Sequence, residues 1–256
     1  VKMGIDFENA LAFRFKDGKL QPILQPHIPD FETLLHIDKQ KEELRKNTLK
    51  LVKGLPAHDA LLWGDRGTGK SSLVKSMLGL FGKDGLRMVQ IYQMDIIHIS
   101  DLYELLRGTQ KKFILFFDDL SFEHHDEQVN ILKSLLDGDV EERPPNVVVY
   151  VTSNRRNLME ESEREEKFPE EGRIQVVSLV ERFGIRLGFF SFGKREYLDI
   201  VKNYVKIKGL SINEEELTQR ALKWASQRQG FSGRTAYQFV RDLEGELMLK
   251  SYKWLP

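Results

Sequence analysis

The sequence predicts a three-layer α/β fold on a mostly parallel, five-stranded sheet, followed by a C-terminal domain of three helices. Three observations predict it. Short apolar runs near residues 60–63, 88–92, 113–118, 146–152 and 185–190 alternate with helical patterns, the signature of βαβ units. Two of these runs, Phe113-Ile114-Leu115-Phe116-Phe117 and Val147-Val148-Val149-Tyr150-Val151, are apolar throughout, as strands covered on both faces are. From Gly193 onward the strand pattern stops and three apolar helical stripes follow.

Taken in order, residues 1–35 read as an irregular N-terminal extension. Leu11 to Phe15 and Leu20 to Leu24 flank Asp17-Gly18, a pair suited to a tight turn, so a hairpin is possible there. Pro22, Pro26 and Pro29 oppose long regular structure. Ile37, Leu44, Leu51 and Val52 give a helix over 38–53, with Asp38 as candidate N-cap and Gly54 and Pro56 as stops. Its Lys39, Lys41, Arg45, Lys46, Lys50 and Lys53 read as a solvated face rather than a nucleic-acid contact.

The next unit carries the strongest motif. Ala60-Leu61-Leu62-Trp63 reads as a buried strand, and Leu73, Val74, Met77 and Leu78 share one helical face. Between them stands Gly64-Asp65-Arg66-Gly67-Thr68-Gly69-Lys70-Ser71, which matches the phosphate-loop pattern G-x-x-x-x-G-K-[ST] at every fixed position. Glycines let successive backbone N–H groups turn inward toward phosphate oxygens. A lysine reaches the β- and γ-phosphates, a serine hydroxyl offers a ligand to Mg²⁺, and the following helix presents its positive dipole end.

A second strand follows at 88–92. Ser100 or Asp101 is a candidate cap for a short helix through Leu102, Leu105 and Leu106. The strand at 113–118 ends in Asp118-Asp119, where ligands bind in open parallel sheets. Next to a phosphate loop, Asp118 is placed to hold Mg²⁺ and Asp119 to polarise an attacking water. Glu123-His124-His125-Asp126 reads as a solvated helix start rather than a metal site, because adjacent histidines point apart. A helix through Val129, Ile131, Leu132, Leu135 and Leu136 closes at Gly138. The strand at 146–152 ends in Ser153-Asn154-Arg155-Arg156, and the charged stretch 157–173 reads as a solvated insertion. Residues 185–190 form the last strand. In the tail, Asn213 and Ser232 are natural N-caps for the second and third helices. The domains expected are 1–35, 36–192 and 193–256.

Composition narrows the function. Lys+Arg and Asp+Glu both number 39, so the net charge is zero and no basic excess points to nucleic acid. There is no cysteine, which excludes disulfides, thiol catalysis and thiolate metal sites. No secretory signal and no apolar run of membrane length is present, so a cytoplasmic protein without membrane contact is expected, and the opening Val1 suggests a fragment.

The order of motifs is specific: phosphate loop, Asp118-Asp119, Thr152-Ser153-Asn154, Glu181-Arg182-Phe183-Gly184, then a helical tail. This order resembles the AAA+ ATPases over roughly residues 30–250. The Asp pair in place of the usual Asp-Glu, and Arg182-Phe183-Gly184 before the last strand, are most similar to the initiator and helicase-loader branch. The string from Leu62 to Ser72, with Asp118 to Glu123 and Thr152 to Arg156, is similar to a bacterial AAA+ group of uncharacterised role.

The resemblance implies ATP and Mg²⁺ at the junction of core and helical lid. Gly64, Asp65, Arg66, Gly67, Thr68, Gly69, Lys70, Ser71 and Ser72 match the nucleotide loop, with Ser71 and Asp118 toward the metal. Asp119 matches the residue that activates water, with Glu123 as the alternative carboxylate and slow intrinsic turnover expected. Asn154 matches sensor 1, and Arg182 the arginine finger supplied to a neighbouring subunit. Arg234 matches sensor 2, and its place in a helix's first turn, where the dipole disfavours a cation, suits an adjacent phosphate. Ile37 and Asp38 match the segment packed on adenine. A homo-oligomeric ring or filament is therefore expected, remodelling or loading a macromolecular partner. Zero net charge favours protein over DNA for that partner. An initiator-like factor on DNA and a non-hydrolysing nucleotide switch are the alternatives, while a kinase is disfavoured by the lid, Asn154 and the trans arginine.

Overall fold

The computed structural model describes residues 5–120, 126–137, 142–154, 178–228 and 230–251. Contacts divide the chain into two compact units. The first comprises Val1–Phe31, Asp38–Gly64 and Lys70–Phe189; the second comprises Glu32–Ile37, Asp65–Gly69 and Phe190–Pro256.

The first unit is a twisted sheet with helices on both faces. Its strands are β1 (Ala12–Lys16), β2 (Lys19–Pro22), β3 (Ala60–Gly64), β4 (Leu86–Ile91), β5 (Lys112–Phe117), β6 (Val147–Ser153) and β7 (Ile185–Phe189), in the order β2-β1-β4-β5-β6-β3-β7. Among the described residues only β1 and β2 pair antiparallel, and every other pairing is parallel. Among the described residues the sheet thus has seven strands, not the five expected. The two extra strands are the Asp17-Gly18 hairpin, with both turn residues at positive φ. In β1 the alternation of Phe13 and Phe15 with Arg14 and Lys16 buries one side, and the strand then adds in parallel to β4. The hairpin itself is the one the sequence offers at Asp17-Gly18, and Pro22 is accommodated because it falls at the last position of the edge strand β2, where prolines are tolerated.

The odd-numbered side chains of β5 and β6, Phe113, Leu115, Phe117, Val147, Val149 and Val151, share one buried cluster with α3 (Ile99–Arg107) and α4 (Asp126–Asp137). The even-numbered Tyr150 reaches α1 (Asp38–Val52) on the opposite face, so helices cover both sides. Its hydroxyl accepts from Asn47 Nδ2 at 3.0 Å and lies 2.9 Å from Thr48 Oγ1, and Asn47 also brackets the His58 backbone in both directions. Burial pushes the Tyr150 hydroxyl up to about 12. At the sheet's other side, the buried Arg87 donates to the carbonyls of Phe7, Glu8, Gly82 and Leu86, tying the segment before β1 to the start of β4.

Two expected helix caps fall elsewhere. Asp38 lies in the first turn of α1. The short helix α3 begins at Ile99, ahead of Ser100 and Asp101, because a 3₁₀ segment, Gln93–His98, runs straight into it and Ile99 N–H bonds back to Ile96 O. His124, His125, Gly138 and the stretch 157–173 lie outside the described residues.

The second unit holds α5 (Lys194–Ile207), α6 (Glu214–Ser226) and α7 (Gly233–Ser251). Asn213 Oδ1 caps α6 by accepting from Glu215 N and Glu216 N, and Ser232 Oγ caps α7 by accepting from Thr235 N at 3.0 Å, as the sequence predicts. Tyr197 on α5 is fully buried and donates to Ala221 O, with its hydroxyl likewise raised to about 12 by burial. Among the described residues no helix is long and apolar enough to cross a membrane.

Candidate functional site

The glycine-rich loop runs between β3 and α2 (Lys70–Phe81). Its glycines are required by geometry. Gly64 stands at φ +123°, and a Cβ there would lie 2.0 Å from Phe189 O of β7. Gly67 stands at φ +73°, where a Cβ would meet Ser232 Oγ at 2.9 Å and Arg234 Cβ at 3.3 Å. No side chain fits at either place, so the bare backbone lines the loop.

Within the first unit, Lys70 opens α2 and is buried, and its Nζ donates to Gly64 O at 2.9 Å. One residue on, Ser71 Oγ donates to Asp118 Oδ1 at 2.5 Å, so the two groups expected to share a cation converge from α2 and from the end of β5. A hydroxyl and a carboxylate at this separation are hard oxygen donors of the kind that suit Mg²⁺. Lys75, one turn beyond Ser71 on the same helix face, brings its Nζ to 3.6 Å from Asp118 Oδ2. Ser72, beside Ser71, is half-buried.

Asp119 follows at φ +58°, a left-handed conformation that Asp and Asn adopt far more readily than other side chains. Its carboxylate accepts from Asn154 Nδ2, so the strand ends of β5 and β6 bring these two together. The turn is stapled to β6 by Asp119 N–H donating to Thr152 Oγ1, Leu120 N–H donating to Thr152 O, and Ser153 Oγ donating to Leu120 O, at 2.8, 2.8 and 3.0 Å. Thr152 Oγ1 in turn donates to Asp118 Oδ1 at 2.8 Å. Arg182 Nη1 donates to both Ser178 O and Ser178 Oγ at 2.5 Å. Glu123, the alternative carboxylate, lies outside the described residues.

Within the second unit, residues 65–69 of the loop pack against its own segments. Asp65 accepts from Ser191 N–H at 2.7 Å and from the Ser191 hydroxyl, Thr68 Oγ1 donates to Asp65 O, and Gly233 N–H donates to Gly67 O at 2.8 Å. Arg234 thereby sits beside Gly67, exposed, in the first turn of α7. Ile37 is buried with its Cδ1 3.5 Å from where a Gly69 side chain would begin. Arg66 is exposed, as is Asp38 in the first unit.

Sequence reasoning named Thr152 only as part of the Thr152-Ser153-Asn154 strand end and missed its hydrogen bonds, and it missed Lys75 and Ser191. A threonine closing the run Val147 to Val151 was the signal for the first. The i,i+4 spacing from Ser71 to Lys75 was the signal for the second. Ser191 had none, since its pairing with Asp65 spans 126 residues of sequence.

A mostly parallel sheet, a phosphate-type loop between strand and helix, a carboxylate pair at the end of another strand of the sheet and a C-terminal three-helix unit together define an AAA+ P-loop NTPase fold. The chain belongs to the family described as "Protein of unknown function (DUF815)", whose profile matches residues 8–247. An AAA-ATPase of Arabidopsis thaliana is 26% identical over 120 residues, 42% of this chain and 22% of its own length; the chain thus spans about a fifth of that relative. Among solved structures, Cdc6p of Pyrobaculum aerophilum superposes with a TM-score of 0.56 at 17% identity, covering 80% of this chain and 60% of its own. ORC2 of Aeropyrum pernix, solved as ADPNP–ADP complexes, gives 0.53 at 16% identity over 85% of this chain and 70% of its own. A RuvB variant of Thermotoga maritima gives 0.52 at 15% identity, over 84% and 72%. At these identities the likeness is one of fold.

Proposed function

We propose that the chain binds ATP with Mg²⁺ and hydrolyses its β–γ bond, coupling this to assembly and to remodelling or loading of a macromolecular partner. The observation that carries the reading is the convergence, in one unit, of Ser71 on Asp118 and of Asn154 on Asp119. That a structural neighbour, ORC2, was solved with ADPNP and ADP supports nucleotide as the ligand class.

In this reading Ser71 and Asp118 would hold Mg²⁺, which when bound neutralises phosphate charge. Backbone N–H groups of 64–72 and the start of α2 take the phosphates, with Lys70 leaving its loop carbonyl for the β- and γ-oxygens. Asp119, oriented by Asn154, polarises the water that attacks the γ-phosphorus, and the bond to the bridging oxygen breaks to give ADP and phosphate. Arg234, beside Gly67 in the second unit, would take the γ-phosphate as its sensor-2 match implies. Ile37 and Asp38 belong to the adenine end. Arg182 acts in a neighbouring copy's site; such an arginine is worth roughly 10³–10⁵ in rate, so an isolated copy turns over slowly.

The test is ATP hydrolysis against protein concentration, for the wild type and Arg182→Ala. The expected result is activity per subunit that rises with concentration and is lost in Arg182→Ala while ATP still binds. Activity that is flat with concentration and indifferent to Arg182 would refute assembly and leave a monomeric nucleotide switch. Titration with a DNA duplex at stepped salt decides the partner class. A linear fall of log affinity with log salt supports DNA as the partner, and no binding leaves the DNA reading without support.

A further inference from the structure

We propose that Thr152 is the positioning residue for both carboxylates of the site, an inference that rests on the ATPase reading above. Its hydroxyl stands between the two acidic residues and serves each differently. The Oγ1 accepts the backbone N–H of Asp119 at 2.8 Å and donates its own proton to Asp118 Oδ1 at 2.8 Å. Thr152 is 1% exposed, so no water replaces either bond. Only a hydroxyl can do both, since an apolar side chain offers nothing and an amide does not fit the same small volume.

Each bond has a consequence. The proton given to Asp118 fixes the carboxylate so that Oδ1 stays within reach of Ser71 Oγ, 2.5 Å away, while Lys75 holds the Oδ2 side at 3.6 Å. The carboxylate is then oriented from three sides before any cation arrives, and such outer partners set metal affinity. The bond accepted from Asp119 satisfies the N–H of a residue held at φ +58°. That left-handed turn is what aims the Asp119 side chain at Asn154. A β-branched threonine suits the role because its χ1 is stiff in a strand, which holds the hydroxyl between its two partners.

The test compares Thr152→Val and Thr152→Ser with the full chain. Thr152→Val keeps the shape and deletes the hydroxyl; Thr152→Ser keeps the hydroxyl. Two quantities are measured: ATP affinity with and without Mg²⁺, and the Mg²⁺ concentration giving half-maximal hydrolysis. Thr152→Val should raise the half-activating Mg²⁺ roughly 10–100-fold and lower kcat, leaving Mg²⁺-free ATP affinity unchanged, because the loop N–H groups are untouched. Thr152→Ser should recover most of both. A wild-type Mg²⁺ dependence in Thr152→Val overturns the proposal. So does a loss of Mg²⁺-free binding in Thr152→Val that Thr152→Ser fails to restore, since that marks a purely structural threonine. Failure of the wild type to bind ATP at all, with or without Mg²⁺, refutes the ATPase reading itself and the proposal with it.

Discussion

At the scale of the single residue, Asp119 explains its own identity. A glutamate is usual at this place in the resemblance, yet the backbone stands at φ +58°, where a short side chain that bonds locally is tolerated best. Asp119→Asn keeps that tolerance, so it should fold with an unchanged melting temperature and bind ATP, while steady-state hydrolysis falls at least about 100-fold. Asp119→Glu should retain some turnover but lose about 1 kcal/mol of stability in chemical denaturation. Gly64 is the stricter case. An added Cβ meets a strand carbonyl at 2.0 Å on top of a φ of +123°, so Gly64→Ala should cost about 3 kcal/mol or more, read as a lowered urea midpoint.

At the scale of the element, polar side chains inside the first unit decide which pieces hold together. Arg87 serves four backbone carbonyls, and through Phe7 and Glu8 it fastens the N-terminal segment to the sheet. Arg87→Met leaves those carbonyls without their donor and should cost about 3 kcal/mol. Hydrogen exchange should report faster opening of β1 and β2, with β5 and β6 opening last. A protected β1 in that variant would show that the ladder to β4 and the buried phenylalanines hold the hairpin without Arg87. The bridge from α1 to β6 is smaller. Tyr150→Phe deletes one hydroxyl while Asn47 keeps its bonds to His58, so thermal unfolding should shift by about 1 kcal/mol.

At the scale of the whole molecule, each unit carries one buried tyrosine whose hydroxyl is raised to about 12, Tyr150 in the first and Tyr197 in the second. Both are neutral in the fold, whereas the unfolded chain ionises them near pH 10. The folded state therefore binds more protons between those values. Their contribution is fully present below pH 10 and is lost as pH rises through about 12. Denaturant titrations at stepped alkaline pH should show stability falling across that window, and Tyr150→Phe should flatten the fall. An identical slope in Tyr150→Phe would place the alkaline sensitivity elsewhere. The proposed assembly also belongs at this scale, because an arginine acting on a neighbour's nucleotide would tie turnover to protein concentration.

The chain order alone determined the phosphate loop, the buried strands that end in Asp118-Asp119 and Asn154, and the caps Asn213 and Ser232. These are local in sequence: fixed spacing of glycines, unbroken apolar runs and one-residue cap chemistry are read without knowing what lies next door. The neighbours were decided only in three dimensions. The hairpin joins the sheet because β1 finds β4 across 76 residues, Thr152 meets Asp118 across 34, and Ser191 meets Asp65 across 126. The left-handed turn at Asp119 likewise depends on a bond to another strand. Spacing along the chain encodes a residue's own geometry, whereas a hydrogen bond between distant segments exists only after the sheet has set their register.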